Sequence, residues 1–191
     1  MAPSVPLSQI TLPGHRAPAA GFEAPFEMLD ACHERLERML KLLAKLQQHL
    51  LLNGWDRDAS KAALDVMRYF DQAAPLHHED EERHVFPSIL AGSDEPLRVL
   101  VLRLQQDHRD MAVAWARARE VLASLSEPPP GGWSGLSEAQ SQTLSGFAGL
   151  YRQHLDDEDA LIYPAAQAQL SDAERLTMSE DMMRRRGLVP P

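Results

Sequence analysis

Four histidines interrupt four apolar helical stripes, and two of them are followed one turn later by a glutamate. The first stripe reads Phe26, Leu29, His33, Leu36, Leu40, Leu43, Gln47 and Leu50. The second reads Ala63, Met67, Phe70, Ala74, His77 and Glu81, and the third Leu97, Val101, Leu104, His108, Met111, Trp115, Ala118 and Leu122. The fourth reads Leu144, Phe147, Tyr151, His154, Glu158, Leu161 and Ala165. Steps that alternate between three and four mark the buried seam of a left-handed helix bundle. Imidazoles and carboxylates at such positions are costly unless they are paired or bound to metal. The chain must therefore fold so that these six groups find one another.

Punctuation along the chain supports an all-α, up-down-up-down four-helix bundle. Residues 1–22, rich in Pro, Ala and Ser, read as a flexible tail. The bundle is expected over residues 23–170, with a short C-terminal helix and tail over 171–191. The first helix should run from Pro25 to Asn53 and end at Gly54. The second should run from Asp58 to Leu90, kinked at Pro75 and loosened at Pro87. Ser93 is the expected N-cap of the third, which carries Pro96 in its first turn and reaches Leu125. Residues 127–135, EPPPGGWSG, form the long loop. Ser137 with Gln140 resembles a capping box opening the fourth helix, which should end near Gln169. Ser171 with Glu174 opens a fifth, closed by Gly187. Alternation of period two is nearly absent, so no sheet is expected.

Antiparallel spacing decides whether the polar residues lie at one depth. His33 precedes Gly54 by 21 residues, and His77 follows Asp56 by 21. His77 precedes Gly92 by 15, and His108 follows it by 16. His108 precedes Glu127 by 19, and His154 follows Ser137 by 17. At a helical rise of about 1.5 Å per residue the mismatches come to roughly 3 Å or less. All four imidazoles should share one layer.

Residues four apart share a helix face, so His77 with Glu81, and His154 with Glu158, each present a nitrogen and a carboxylate to one cavity. His33 and His108 add two nitrogens. Carboxylates can bridge two cations, and imidazole suits iron, copper, zinc or nickel. If both glutamates bridge, a pair of metals receives eight bonds from protein. A bridging oxide or hydroxide adds two more, which leaves open positions on two octahedral ions for a small molecule such as dioxygen.

The net charge of -9 argues against a nucleic-acid surface or a polybasic membrane patch. No apolar run approaches the roughly 18 residues of a spanning helix. The N-terminal stretch lacks a signal peptide's charged start and apolar centre, and a single cysteine, Cys32, excludes an internal disulfide framework and a cysteine-cage zinc site. A cytoplasmic protein is expected.

The segments HHEDEERHVFP (77–87) and HLDDEDALIYP (154–164) echo one another as H-x3-E-acid-x3-aromatic-Pro. With the two further histidines at matched depth, they resemble the haemerythrin family in its broader HHE cation-binding branch, over roughly residues 25–166. The resemblance implies a non-haem di-iron site in a four-helix bundle. Its ligands would be His33, His77, Glu81, His108, His154 and Glu158, and its activity the handling of dioxygen, nitric oxide, peroxide or iron. The same donors would accept manganese or zinc. Oxygen-carrying members place two histidines one turn apart on the third helix, whereas Leu104 and Ala112 flank His108 here. That departure turns the expectation from bulk transport toward sensing or handling of a small diatomic ligand. Iron delivery, and oxidase or peroxidase-like chemistry, are the other readings.

Taken singly, a histidine in an apolar stripe is ordinarily a hydrogen-bonded core residue; four at one depth with two glutamates favour metal. His78 aligns with Leu155 in the echo, so it is expected beside the ligands or in solvent. Glu82 and Asp159 align one place after the ligand glutamates, as solvated charges, spare ligands or outer acceptors. Glu81 with His84 has the E-x-x-H spacing of ferritin-like di-iron proteins, but Gln105 and Tyr151 break the pattern elsewhere. Tyr151 and Trp115 read as core, with Tyr151 able to bond a bound species, and Cys32 as an incidental thiol. Arg184, Arg185 and Arg186 suit a helix C-terminus and need bind nothing. His15 and His49 take no role.

Overall fold

The computed structural model describes residues 24–190, so the expected tail and His15 lie outside the described residues. Among the described residues there are helices and no strand. The first rod of the bundle is α1 (Pro25–Leu52), with proline in its first turn. Gly54, at φ +81°, turns the chain where a Cβ would meet the Trp133 ring at 3.0 Å. Glycine adopts that backbone without strain. Asp56 then caps α2 (Arg57–Asp80) by accepting the Ala59 N–H at 2.8 Å.

The second rod does not remain α-helical. A π-helical segment, Glu81–Val85, separates α2 from α3 (Phe86–Ala91), and the Phe86 N–H reaches back five residues to the Glu81 carbonyl. The fourth rod repeats this device. It comprises α5 (Glu138–Gly149), α6 (Tyr151–Asp157), a π-helical segment Glu158–Ile162 and α7 (Tyr163–Gln169), with the Tyr163 N–H bonded to the Glu158 carbonyl. Each π segment ends one residue before an aromatic-Pro pair. Pro87 and Pro164 lack an N–H, and their rings crowd the carbonyl four residues back, which favours the wider turn.

The π turns correct the expected register. Leu161 and Ala165 belong to the fourth stripe if the helix is regular. Instead Leu161 is 46% exposed, and Ile162 and Ala166 are fully buried, because the segment inserts one extra residue after Glu158. α2 runs through Pro75, and the π-helical irregularity falls further on, at 81–85. The fourth rod is also interrupted at Leu150, just after Gly149, a poor helix former.

The third rod is α4 (Glu95–Ser124), capped by Asp94, which accepts the Leu97 N–H at 3.1 Å, rather than by Ser93. The capping boxes at Ser137–Gln140 and Ser171–Glu174 both form. The loop from α4 to α5 packs across the α1–α2 turn, where Leu125 and Ser126 carbonyls accept from Trp55 Nε1 and Ser60 Oγ at 2.8 and 2.7 Å.

The core comes in two apolar clusters. One, toward the α1–α2 turn, holds Leu36, Leu43, Phe70, Met111, Phe147 and Tyr151. The other holds Leu29, Val85, Phe86, Leu104, Ile162 and Tyr163 and is shared with α8 (Asp172–Arg185) through Met178 and Met182. Along α1 and α4 the histidines fall between the two clusters: His33 between Leu29 and Leu36, His108 between Leu104 and Met111.

The arginines at the end of α8 do more than complement a helix dipole. Arg185 and Arg186 close on Asp80, a fully buried carboxylate one residue before Glu81. Arg185 also bonds Asp181 at 2.9 Å, and Asp181 meets His84 at 2.9 Å. Replacing both arginines by alanine strands Asp80 without a countercharge. The expected loss in urea unfolding is about 3 kcal/mol, the low end for breaking a buried pair, because undocked α8 would admit water.

Candidate metal centre

The layer between the clusters contains all six residues singled out from the sequence. His33, His77, Glu81, His108, His154 and Glu158 are each no more than 5% exposed, and both glutamates are fully buried. Their inward atoms fall into two overlapping groups whose members lie within 4.8 Å of one another. One contains His33, His77, Glu81 and Glu158; the other contains His108, His154 and Glu158. The equal depths counted along the chain are therefore real depths in the bundle.

The carboxylates span both groups. Glu158 places Oε2 3.3 Å from His33 Nε2, and Oε1 3.1 Å from His154 Nε2 and 3.9 Å from His108 Nε2. Glu81 places Oε1 3.3 Å from His77 Nε2 and 3.7 Å from His33 Nε2, while Oε2 lies 3.5 Å from His108 Nε2. Both sit at the head of a π segment, where the widened turn carries the carboxylate between two rods.

Three imidazoles are anchored from outside. His33 Nδ1 meets Asp159 at 2.7 Å, His108 Nδ1 meets Glu82 at 3.0 Å, and His154 Nδ1 meets Asp107 at 3.3 Å. A carboxylate on Nδ1 holds a proton there and aims Nε2 at the centre. The residues aligned in the echo thus exchange partners across the bundle. Glu82 of the first motif holds the histidine of α4, and Asp159 of the second holds that of α1. Ring packing follows the same rule: Phe86 stacks on His108 at 5.5 Å, and Tyr163 stacks on His33 at 5.1 Å.

Electrostatics reflect this crowding. Burial pushes His33 down, but the Asp159 hydrogen bond and the facing Glu158 and Glu81 carboxylates outweigh it and hold the group well above its ordinary value. Burial takes His77 well below its ordinary value and His108 down to about 4. Burial and the neighbouring Glu81 charge raise Glu158. Glu81 itself is pushed up by burial, yet His77, His33 and His108 pull it well below the usual carboxylate range.

The donor set fits a pair of divalent cations. Oε1 and Oε2 of Glu158 and Oε2 of Glu81 are buried with no hydrogen-bond partner. The Nε2 atoms of His108 and His154 stand 3.1 Å apart. At that distance one ring can donate to the other, or both nitrogens can turn to one cation. Nitrogen and carboxylate donors in this mixture suit iron, manganese or zinc.

The site also holds a residue that the stripes did not predict. The Tyr163 hydroxyl donates to Glu81 Oε1 and lies 2.9 Å from His33 Nε2. Burial, then the Glu81 and Glu158 charges, raise its pKa well above the ordinary phenol value, so it remains a donor. The aromatic-Pro position of the echo was its signal, since the first motif has Phe86 there. Tyr151 packs among Phe70 and Phe147 in the core, where its stripe position placed it. His78 turns inward, with its ring 4.0 Å from that of His108 and its pKa lowered to about 3, chiefly by burial. His84, Trp115 and His49 bond Asp181, Asp71 and Asp56 at 2.9, 3.0 and 2.9 Å and stand apart from the layer. Cys32 is buried, with its carbonyl accepting the Tyr69 hydroxyl at 3.1 Å.

Among the described residues no helix is long and apolar enough to cross a membrane. An uncharacterized protein of Haemophilus influenzae is 30% identical over 96 residues, which is 50% of this chain and 55% of that protein. The chain thus spans about half the length of this relative, which carries no stated activity. The family model described as the Hemerythrin HHE cation binding domain matches residues 24–166, the span that supplies every rod, both π segments and all six inward donors. On that match and that geometry, the chain belongs to the hemerythrin HHE cation-binding family.

Proposed function

We propose that the chain is a non-haem di-iron protein that takes up dioxygen, or a relative such as nitric oxide or peroxide, for sensing or handling rather than bulk transport. The observation that carries this reading is the pair of fully buried glutamates, each with oxygens facing imidazoles of both groups. His33, His77, Glu81, His108, His154 and Glu158 would hold the metals. When bound, a pair of iron ions supplies open coordination positions and one-electron redox chemistry toward small diatomic molecules.

The chain's own residues then set the environment. Asp159, Glu82 and Asp107 fix the imidazole tautomers and raise the basicity of the inward nitrogens. The apolar clusters on either side exclude water from the layer. Tyr163 brings a protonated hydroxyl to the His33 side, where its proton goes to Glu81 and would pass to an anionic or polar guest once that carboxylate turns to metal. A proton donor at that position favours handling or sensing over an inert carrier pocket. The depth of the six donors favours resident metal over iron cargo, since release requires the rods to part.

Protein purified without added metal should contain about two iron per chain by elemental analysis. His77→Ala or Glu158→Ala should lower that content; wild-type protein with no metal would end the proposal. Reduced protein titrated with oxygen should develop a reversible charge-transfer band. Irreversible oxidation with turnover would indicate an enzyme instead, and ready iron loss to a mild chelator would indicate delivery. Asp159→Ala removes only an outer anchor, so it should weaken iron affinity by about 10- to 100-fold in chelator competition while the helical circular dichroism stays the same.

A further inference from the structure

Helix α8 grips the second rod on both sides of the join where α2 gives way to the π segment. Before the join, Arg185 and Arg186 close on the buried carboxylate of Asp80. After it, Asp181 of α8 meets His84 Nε2 at 2.9 Å, and Met178 and Met182 share a cluster with Val85 and Phe86. Asp181 connects the two grips, since it also accepts from Arg185 Nε at 2.9 Å. Glu81, fully buried, is the residue at the join itself. The opposite face of the same segment serves the layer. Glu82 anchors His108 Nδ1 at 3.0 Å, and Phe86 stacks on the His108 ring. A π turn is rare and sits above regular α-helix in energy, so these contacts must hold it. Reversion of 81–85 to α-helix would rotate the residues after Glu81 by about 100° while Asp80 stayed in place. His84 and Val85 would leave α8, and Glu82 and Phe86 would leave His108. Both faces therefore require the same backbone form.

We infer that α8 is a latch coupled to the metal centre: docking of α8 and occupation of the layer reinforce one another through the π segment at 81–85. This rests on the metal-binding reading above, and it gives sensing a structural element that can report the state of the layer. A cation held by His108 fixes the ring that Glu82 and Phe86 grip, and so favours the π form. The π form in turn presents His84 and Val85 to α8. One two-state element biased from both sides is what such coupling requires. The effect is reciprocal: the factor by which docked α8 raises metal affinity is the factor by which bound metal raises docking.

The test compares amide hydrogen exchange in the full wild-type chain, metal-free and loaded with cobalt(II). Amides of α8 should exchange about tenfold more slowly in the loaded protein. Those of α5, which carries no inward donor, should change much less. In the other direction, Asp181→Ala removes the contacts to His84 and to Arg185 Nε, and should bind cobalt about tenfold more weakly in chelator competition. Arg184→Ala, whose partner Glu180 lies on the same helix, should keep wild-type affinity. The exchange measurement on wild type carries the test if Asp181→Ala fails to fold. Cobalt bound with α8 exchange unchanged, or slowed no more than that of α5, would overturn the coupling and leave the metal site intact. Wild-type cobalt affinity in Asp181→Ala would do the same. A wild-type chain that takes up no cobalt would overturn the metal reading as well.

Discussion

Two fully buried carboxylates, Glu81 and Glu158, are the constraint around which the bundle is organised. Taking one carboxylate out of water costs roughly several kcal/mol even after relaxation, and here two lie in the same layer. Apolar packing cannot offset that cost, so the neighbours must. Four imidazoles meet the carboxylate oxygens from four rods. Three of them pass the demand outward to Asp159, Glu82 and Asp107, which are only partly buried and remain hydrated. Charge in the centre is thus linked through the imidazoles to charge at the surface. The same links fix the relative heights of the rods, because a slip of one turn, about 5.4 Å, would break the carboxylate contacts.

Much of this was legible in the sequence because it is periodic. The stripes through His33, His77, His108 and His154, and the residue counts to each turn, set both the helices and the common depth of the donors. What escaped was aperiodic. The extra residue in each π segment moved the buried positions from Leu161 and Ala165 to Ile162 and Ala166. Pro87 and Pro164 marked the places, but proline alone does not distinguish a kink from a wider turn. Tyr163 stood off the regular stripe for the same reason. The clasp of Arg185 and Arg186 on Asp80 joins residues about a hundred positions apart, and neither spacing nor motif connects them. His78, which the echo pairs with Leu155, stacks on the His108 ring, beside the ligands, one of the two places expected for it.

The motif repeat produces an approximate two-fold relation, and its exceptions indicate direction. Glu82 and Asp159 correspond, and each anchors the histidine of an opposing rod. Phe86 and Tyr163 correspond, and each stacks on that same histidine, yet only one carries a hydroxyl. His78 and Leu155 correspond, yet only one carries a nitrogen. The hydroxyl belongs with the His33 side and the extra imidazole with the His108 side. A symmetric pair of motifs would give equivalent halves and no preferred position for a guest. These two differences break the equivalence, with a hydroxyl on one side and a stacked imidazole on the other.

The helix α8 lies beyond the span matched by the family model, and it acts on the layer from behind. Its arginines hold Asp80, the last residue of α2, and Arg185 also donates to the Leu76 carbonyl at 3.4 Å. Those residues bracket His77 and immediately precede Glu81. A π segment is intrinsically less favourable than continued α-helix, so the second rod tends to relax toward regular geometry. Relaxation would advance everything after Glu81 by about 100° around the helix axis and swing Val85 and Phe86 out of the core. The clasp fixes the α-helical side of that junction, and the packing of Phe86 on His108 fixes the other. The carboxylate that both groups need is thereby held at the join by forces from outside the layer as well as within it.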